Sequence, residues 1–247
     1  MVAWLAEWSR RRKLFAWLAA PSIVGALVFT TGWLVAGAIQ DRYDPRSDYI
    51  SSLAAVDAAN PWIMITAMVA FGVGVMSLGA GLFAVLEDRM GRIASFAVLL
   101  SGLGVVVVGM MRHDCGVQLP SCSVRVSMGE VSGYHAVHDV AAGLTFVLAG
   151  IAQLLISRGV RRHDAWRYLR LPSSISGVLT LVLFTLMTSD LLPEWVGVIQ
   201  RTIAIVASIW VSALGVHLFR LDIRGHQLSW LARRVPAETP APVLTSR

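Results

Sequence analysis

The feature that most limits what this chain can fold into is a sixfold recurrence of apolar runs long enough to cross a bilayer. A membrane-spanning helix needs about 20 consecutive, mostly apolar residues. Six stretches reach that length: Leu14–Ile39, Trp62–Leu86, Ile93–Met111, His138–Ile156, Leu171–Ser189 and Trp195–Phe219. Only 15% of the residues are charged, against roughly a quarter in a soluble domain, and mean hydropathy is +0.66. The expected fold is all-α, a polytopic membrane bundle of six transmembrane helices.

Helix punctuation marks the run boundaries. Asn60-Pro61 is a cap followed by proline at the first helical position, and Pro172 and Pro193 open the fifth and sixth runs in a similar way. The first run begins after "SRRRK" and contains Ala36-Gly37-Ala38, which resembles a leader-cleavage box. Its apolar stretch is well beyond the length of a cleaved leader's core, so it is expected to remain as a span.

The formal charge is +6, and its distribution sets the orientation. Arg10, Arg11, Arg12 and Lys13, then Arg89 and Arg92, then Arg158, Arg161, Arg162, Arg167 and Arg170, then Arg220, Arg224, Arg233 and Arg234 fall on one side. The other side holds Arg42, Arg46, Arg112 and Arg125. The positive-inside rule therefore predicts both termini in the cytoplasm of a plasma-membrane protein. The same clustering accounts for the basic balance without a nucleic-acid partner. Residues 1–13 read as a basic cytoplasmic start and 14–219 as the membrane domain. In 220–247, "RLDIRGHQLSWLARRV" leads as a basic amphipathic helix on the inner leaflet into a proline-rich, disordered tail.

Polar residues gather on the side predicted to face outward. In the first outer loop, Asp44, Ser47, Asp48 and Ser51 are spaced i, i+3, i+4, i+7. That is one face of a helix. Asp44 is a natural N-cap and Pro45 a natural first residue, which predicts a short interfacial helix.

The second outer loop carries more chemistry. His135, His138 and Asp139 share one helical face where the fourth span begins. Two imidazoles at that spacing can hold one metal ion, zinc being the candidate, with a carboxylate to ligate or orient them. They can equally handle protons. His113 and Asp114 lie in the same layer. Cys115 and Cys122 are the only cysteines and share this loop, which favours a disulfide in an oxidising exterior. The rival is a His-x-Cys zinc site using His113.

In the sixth run, Gln200-Arg201 follows Pro193 and Glu194, with Asp190 just before. At 1.5 Å per residue Arg201 lies about 10 Å below the helix start. A charge at that depth needs a partner, and Asp44, Asp48, Asp114 and Asp139 are the candidates. Arg201 is read either as a structural ion pair or as a clamp for an anionic group. The remaining spans, with "VAFGVGVMSLGAGLF" and "SGLGVVVVG", read as close-packing faces. Trp8, Trp62, Trp166, Trp195 and Trp230 fall near span ends as an aromatic belt would.

Taken together these motifs form a recognisable order. Tyr43-Asp44-Pro45 and Asp48-x-x-Ser51-x-Leu53 follow span one, and Asp114 follows span three. His135-x-x-His138-Asp139 opens span four, and Gly197-x-x-Gln200-Arg201 lies in span six. The pattern resembles the uncharacterised bacterial and archaeal membrane family called domain of unknown function 998, over residues 20 to 219. The resemblance implies a shared outward polar site and no established activity. Family members tend to carry proline at the position of His113, which argues against His113 as a ligand. The cysteine pair is peculiar to this branch. Serine, aspartate and histidine near one leaflet also look like the architecture of the alkaline ceramidase group, whose members use zinc.

Two readings of function follow. In one, His135, His138, Asp139 and Asp48 carry metal-assisted or acid–base chemistry on a lipid or other amphiphile. Arg201, Gln200, Asp44, Ser47, Ser51 and Asp114 then form the binding surround. In the other, the same cluster holds a lipid headgroup or the loop of a membrane-protein partner without chemistry. Haem-based electron transfer needs histidines on facing helices; His135 and His138 share one helix and His217 lies at the other side.

Overall fold

Seven α-helices form among the described residues of the computed structural model, with no β-strand: α1 (Val2–Ile39), α2 (Pro61–Val85), α3 (Arg89–Met110), α4 (Pro120–Ser127), α5 (Gly133–Gly159), α6 (Arg170–Met187) and α7 (Val196–Arg234). The structure describes residues 2–117, 119–189 and 191–234, with side chains throughout except at 2–16, 162 and 222–234. Asp190 and the tail after Arg234 lie outside the described residues. Six helical segments are long and apolar enough to cross a membrane: Trp17–Ile39, Pro61–Val85, Arg89–Met110, Gly133–Gly159, Asp164–Met187 and Pro193–Leu221. The expected basic surface helix is not a separate element, because α7 runs on without a break to Arg234.

The six long helices close into a ring. Each packs on its neighbour in the chain, α4 aside, and α7 returns against α1. In lipid there is no hydrophobic drive to bring helices together, so close backbone approach does this work. The glycine-rich runs serve it. A Cβ on Gly72 would stand 2.7 Å from the Gly102 carbonyl oxygen, and one on Gly102 would stand 2.7 Å from that of Gly72. Helices α2 and α3 therefore meet backbone to backbone, as the small residues predicted.

Connections alternate between two ends of the ring. At the end nearer the chain termini, the helix interiors are tightly filled by Leu78, Leu82, Leu86, Ala94, Ile156, Val160, Leu214 and Leu218, all fully buried. Asp88 caps α3 through the backbone N–H groups of Met90 and Gly91. His163 donates to the same carboxylate at 2.8 Å, which ties the α2–α3 turn to the α5–α6 connection. Trp166 is buried there with its ring 4.3 Å from that of His217. It is a packing residue and no part of a lipid-facing belt. Trp62 and Trp195, at the opposite end, are exposed as that role requires.

The opposite end carries His113, His135 and His138. Here the interior is less tightly filled. A cavity of about 130 Å³ runs along the ring axis. Among its lining residues are Phe29, Met68, Phe71, Val98, Val105, Ile203 and Trp210. By the packing cost measured for cavities, such a void forfeits roughly 3 kcal/mol.

Candidate functional site

The first connection at the histidine end does not form the expected interfacial helix over Asp44 to Ser51. It folds as a tight turn and then a short 3-10 helix, Ile50–Ala54. Local hydrogen bonding explains the break. The Asp44 carbonyl accepts from the N–H groups of Ser47 and Asp48, while its carboxylate accepts from Arg46 N at 2.9 Å. The Asp48 carboxylate reaches back to accept from Asp44 N at 3.0 Å and from the Ser47 hydroxyl at 3.1 Å. These acids close the turn upon itself. Tyr49 is then extended, so Ile50, Ser51, Leu53 and Ala54 point into the bundle.

Helix α7 grips this turn. Arg201 Nη1 donates to the carbonyls of Pro45 at 2.6 Å, Asp48 at 2.9 Å and Gly197 at 2.9 Å. Its Nη2 donates to the Tyr43 hydroxyl. Its guanidinium also lies 5.3 Å from the Tyr43 ring centre and 5.7 Å from that of Trp33. Among the described residues no carboxylate forms an ion pair with it, so the expected partners Asp44, Asp48, Asp114 and Asp139 are not what neutralises Arg201. Backbone carbonyl dipoles and two aromatic faces do this instead. Burial pushes the Tyr43 hydroxyl up to about 12 against the opposing pull of Arg201, so it stays a phenol. One position along, the Gln200 side-chain oxygen accepts from Ile50 N. Thus Gly197-x-x-Gln200-Arg201 is a clamp on the first connection.

The second connection builds the histidine cluster. Helix α5 starts at Gly133 rather than at His138, which puts both of its histidines in the first two turns. Asp114 fixes that start. Its carboxylate accepts from both the backbone N–H and the hydroxyl of Ser132. The Ser132 N–H is the main reason the Asp114 carboxyl is held below the usual carboxylate range. The Asp114 N–H in turn donates to His135 Nδ1 at 3.2 Å.

Three imidazoles then meet. His113, His135 and His138 are all buried. The His113 ring centre lies 4.5 Å from that of His135 and 3.8 Å from that of His138. His113 Nε2 donates to an Asp139 carboxylate oxygen at 2.8 Å. The other Asp139 oxygen is 3.8 Å from His135 Nε2. His138 Nδ1 donates to the Met111 carbonyl. These partners leave His113 Nδ1 and His138 Nε2 buried with no hydrogen-bond partner among the described residues. Ligand atoms of His113, His135 and Asp139 all lie within 4.8 Å of one another. The histidine that the family pattern argued against is therefore central to the group.

Cys115 and Cys122 are joined as a disulfide, which excludes the rival His-x-Cys site. The bond holds α4 beside the histidines. A cleft of about 540 Å³ lies between α4, α5, α6, α7 and the first connection. His113, His135, His138 and Asp139 line it, with Tyr49, Ser51, Ser123, Ser127, Thr188 and Gln200 supplying further polar groups. Asp44, Ser47, Asp48, Asp114 and Arg201 do not line it. The predicted site residues thus divide into two neighbouring groups, a clamp and a cleft, with Ser51 and Gln200 at the junction. His113 and Tyr49 were the residues sequence reasoning undervalued. Their only signal was position: each lies one or two residues from a motif residue, in a connection near the apolar boundary.

Ser51, Ala142, Phe146 and Gln200 line both the cleft and the axial cavity. No more than one layer of side chains separates the two. No curated protein and no solved structure matches the chain. The family model described as a protein of unknown function, DUF998, matches residues 23–217, from the first span into the sixth. With the ring of six spans that those residues form, the chain belongs to the DUF998 family of membrane proteins.

Proposed function

We propose that this membrane protein acts on a lipid or other amphiphile by acid–base or metal-assisted chemistry at the histidine cluster. The histidine end faces outward across the plasma membrane and both termini are cytoplasmic, as the arginine distribution favours. The observation that carries the reading is the pairing of spaces. Three buried imidazoles and Asp139 border a cleft of mixed polar and apolar lining that shares a wall with a nearly wholly apolar cavity. A polar reacting group and a hydrocarbon tail would each find a matching environment.

The residues divide the work. His138 donates through Nδ1 to a carbonyl, which leaves Nε2 bare to take a proton or bind an electrophile. His113 is oriented by Asp139 in the same sense, with Nδ1 bare. Tyr49, Ser51 and Gln200 are placed to hold the polar group. The donor set of His113, His135 and Asp139 fits zinc, which favours imidazole and carboxylate ligands. Zinc bound there would polarise a carbonyl or activate a water.

A second reading, binding without chemistry, draws on His135. Its Nδ1 accepts from Asp114 N, so the neutral ring keeps its proton on Nε2 and offers no lone pair there. Elemental analysis and lipid mass spectrometry on the same purified sample separate the two. The first reading expects an amphiphile that is chemically altered during incubation, and loss of that alteration in His138→Ala. An amphiphile that is retained unaltered by both proteins supports binding alone. Absence of any retained amphiphile overturns both.

A further inference from the structure

We propose that the ligand is an amphiphile with a single chain entering the bundle and a head group without negative charge. This rests on the amphiphile reading above and narrows it to a chemical class. Two independent observations carry it.

The first is the charge inventory of the cleft. Arg42, Arg46, Arg112, Arg125 and Arg201 all belong to this end of the molecule, and none lines the cleft. Four of these guanidiniums are engaged elsewhere; Arg201 Nε is buried and has no partner among the described residues. Arg112 donates to the carbonyls of Ala54 and Ala55, and Arg125 to that of Glu130. Arg46 pairs with Glu194 at 3.0 Å, and Arg201 holds the first connection. Among the described residues, the charged group that lines the cleft is Asp139, whose side chain is 57% exposed. With no metal bound, a phosphate or carboxylate head would enter beside a carboxylate, and no guanidinium or ammonium among the described lining residues would meet it. A head of hydroxyl or amide groups meets the hydroxyls of Ser51, Ser123, Ser127 and Thr188 and the Gln200 amide.

The second is the size and lining of the axial cavity. At about 130 Å³ it is comparable to an engineered apolar cavity of about 150 Å³ that takes one benzene. It accepts the leading carbons of one chain and has no room for two. Apart from Ser51, Ser101, Thr145, Gln153, Thr180 and Gln200 its walls are apolar. Of these, Thr180 and Gln153 satisfy each other at 3.0 Å, and Ser101 and Thr145 bond back to their own helices. Ala142 and Phe146 stand where head and tail compartments meet.

The test uses the full chain in lipid nanodiscs, with three probes of equal chain length: monolauroylglycerol, lauryl phosphate and dilauroylglycerol. Binding is read by native mass spectrometry. Ala142→Phe narrows the junction and Ala149→Leu fills the cavity from α5, and binding that survives in both is partition into lipid. Thermal unfolding identifies variants that fail to fold, and the remaining one then decides. Monolauroylglycerol should bind the wild type at least about tenfold tighter than either other probe, since an unpaired buried charge is costly. Both folded variants should lose that preference. Equal or tighter binding of lauryl phosphate or dilauroylglycerol, or unchanged binding in the variants, overturns this inference while leaving the amphiphile reading standing. Site-specific binding of none of the three overturns the amphiphile reading itself.

Discussion

His113 Nε2 lies 2.8 Å from an Asp139 carboxylate oxygen, joining the connection after α3 to the first turns of α5. The bond orients a buried ring and leaves its other nitrogen facing its neighbours. Breaking it from the Asp139 side strands a buried donor, whereas removing the imidazole leaves a largely exposed acid. Asp139→Ala should therefore destabilise the protein by about 1–2 kcal/mol. The double variant with His113→Ala should cost less than the sum of the singles. Thermal unfolding of the four-membered mutant cycle measures that coupling, and strict additivity would count against the bond.

Gly197 makes room for the clamp. A Cβ there would stand 2.6 Å from the Asp48 carbonyl oxygen and 2.7 Å from that of Pro45, and both are backbone atoms that cannot swing aside. Gly197→Ala should displace the first connection and lower stability by about 1–3 kcal/mol, despite its better helix propensity. Faster proteolysis or hydrogen exchange confined to residues 43–55 checks the location. An unchanged first connection would show that α7 does not set its position.

At the other end, Asp88 gives the stability a defined pH dependence. His163 and the N–H groups of Gly91 and Met90 hold its carboxyl below the usual range. A depressed folded-state value means that its stabilisation is present above the unfolded value, about 3.9. It is lost as pH falls through the lower folded value. Asp88→Asn should be less stable than wild type at pH 6, and the gap should shrink as pH falls below about 4. Unfolding midpoints across that range test the sign; a gap that widens toward acid is the wrong one.

The disulfide between Cys115 and Cys122 closes a short loop beneath α4. Cys115→Ser with Cys122→Ser should cost roughly 2–3 kcal/mol in the chain-entropy view. Because α4 lines the cleft, its amides should also exchange faster in the variant. Equal protection of α4 in both proteins would mean that packing alone holds it.

How much of this was legible in the sequence depended on whether the signal was local. The six spans are set by run length and composition, and the Gly-rich faces by residue size, so both read correctly. The cysteine pairing followed from having only two, on one side. The helix over Asp44 to Ser51 failed because i, i+3, i+4 spacing describes a face only if the backbone stays helical. Asp44 and Asp48 bond to backbone and hydroxyl groups within the turn, and that competition keeps a helix from forming before Tyr49. Arg201 was correctly read as a charge in need of compensation, but its partners are carbonyls, which every sequence contains and none advertises. His113 was undervalued because its place in the cluster comes from α3 ending beside α5, a tertiary fact with no spacing signature.

The ring closes through the contact of α7 with α1, and the last span is also the one that holds the first connection in place through Gln200 and Arg201. Biogenesis inherits an order from this. A chain inserted from its N-terminus displays Tyr43 to Ala54 long before the residues that grip it have been made. Until the sixth span arrives, the Pro45 and Asp48 carbonyls lack their donor and the cleft lacks one wall. Completion of the pocket is thus coupled to completion of membrane insertion, and a stalled five-span intermediate would carry His113, His135 and His138 yet no finished site.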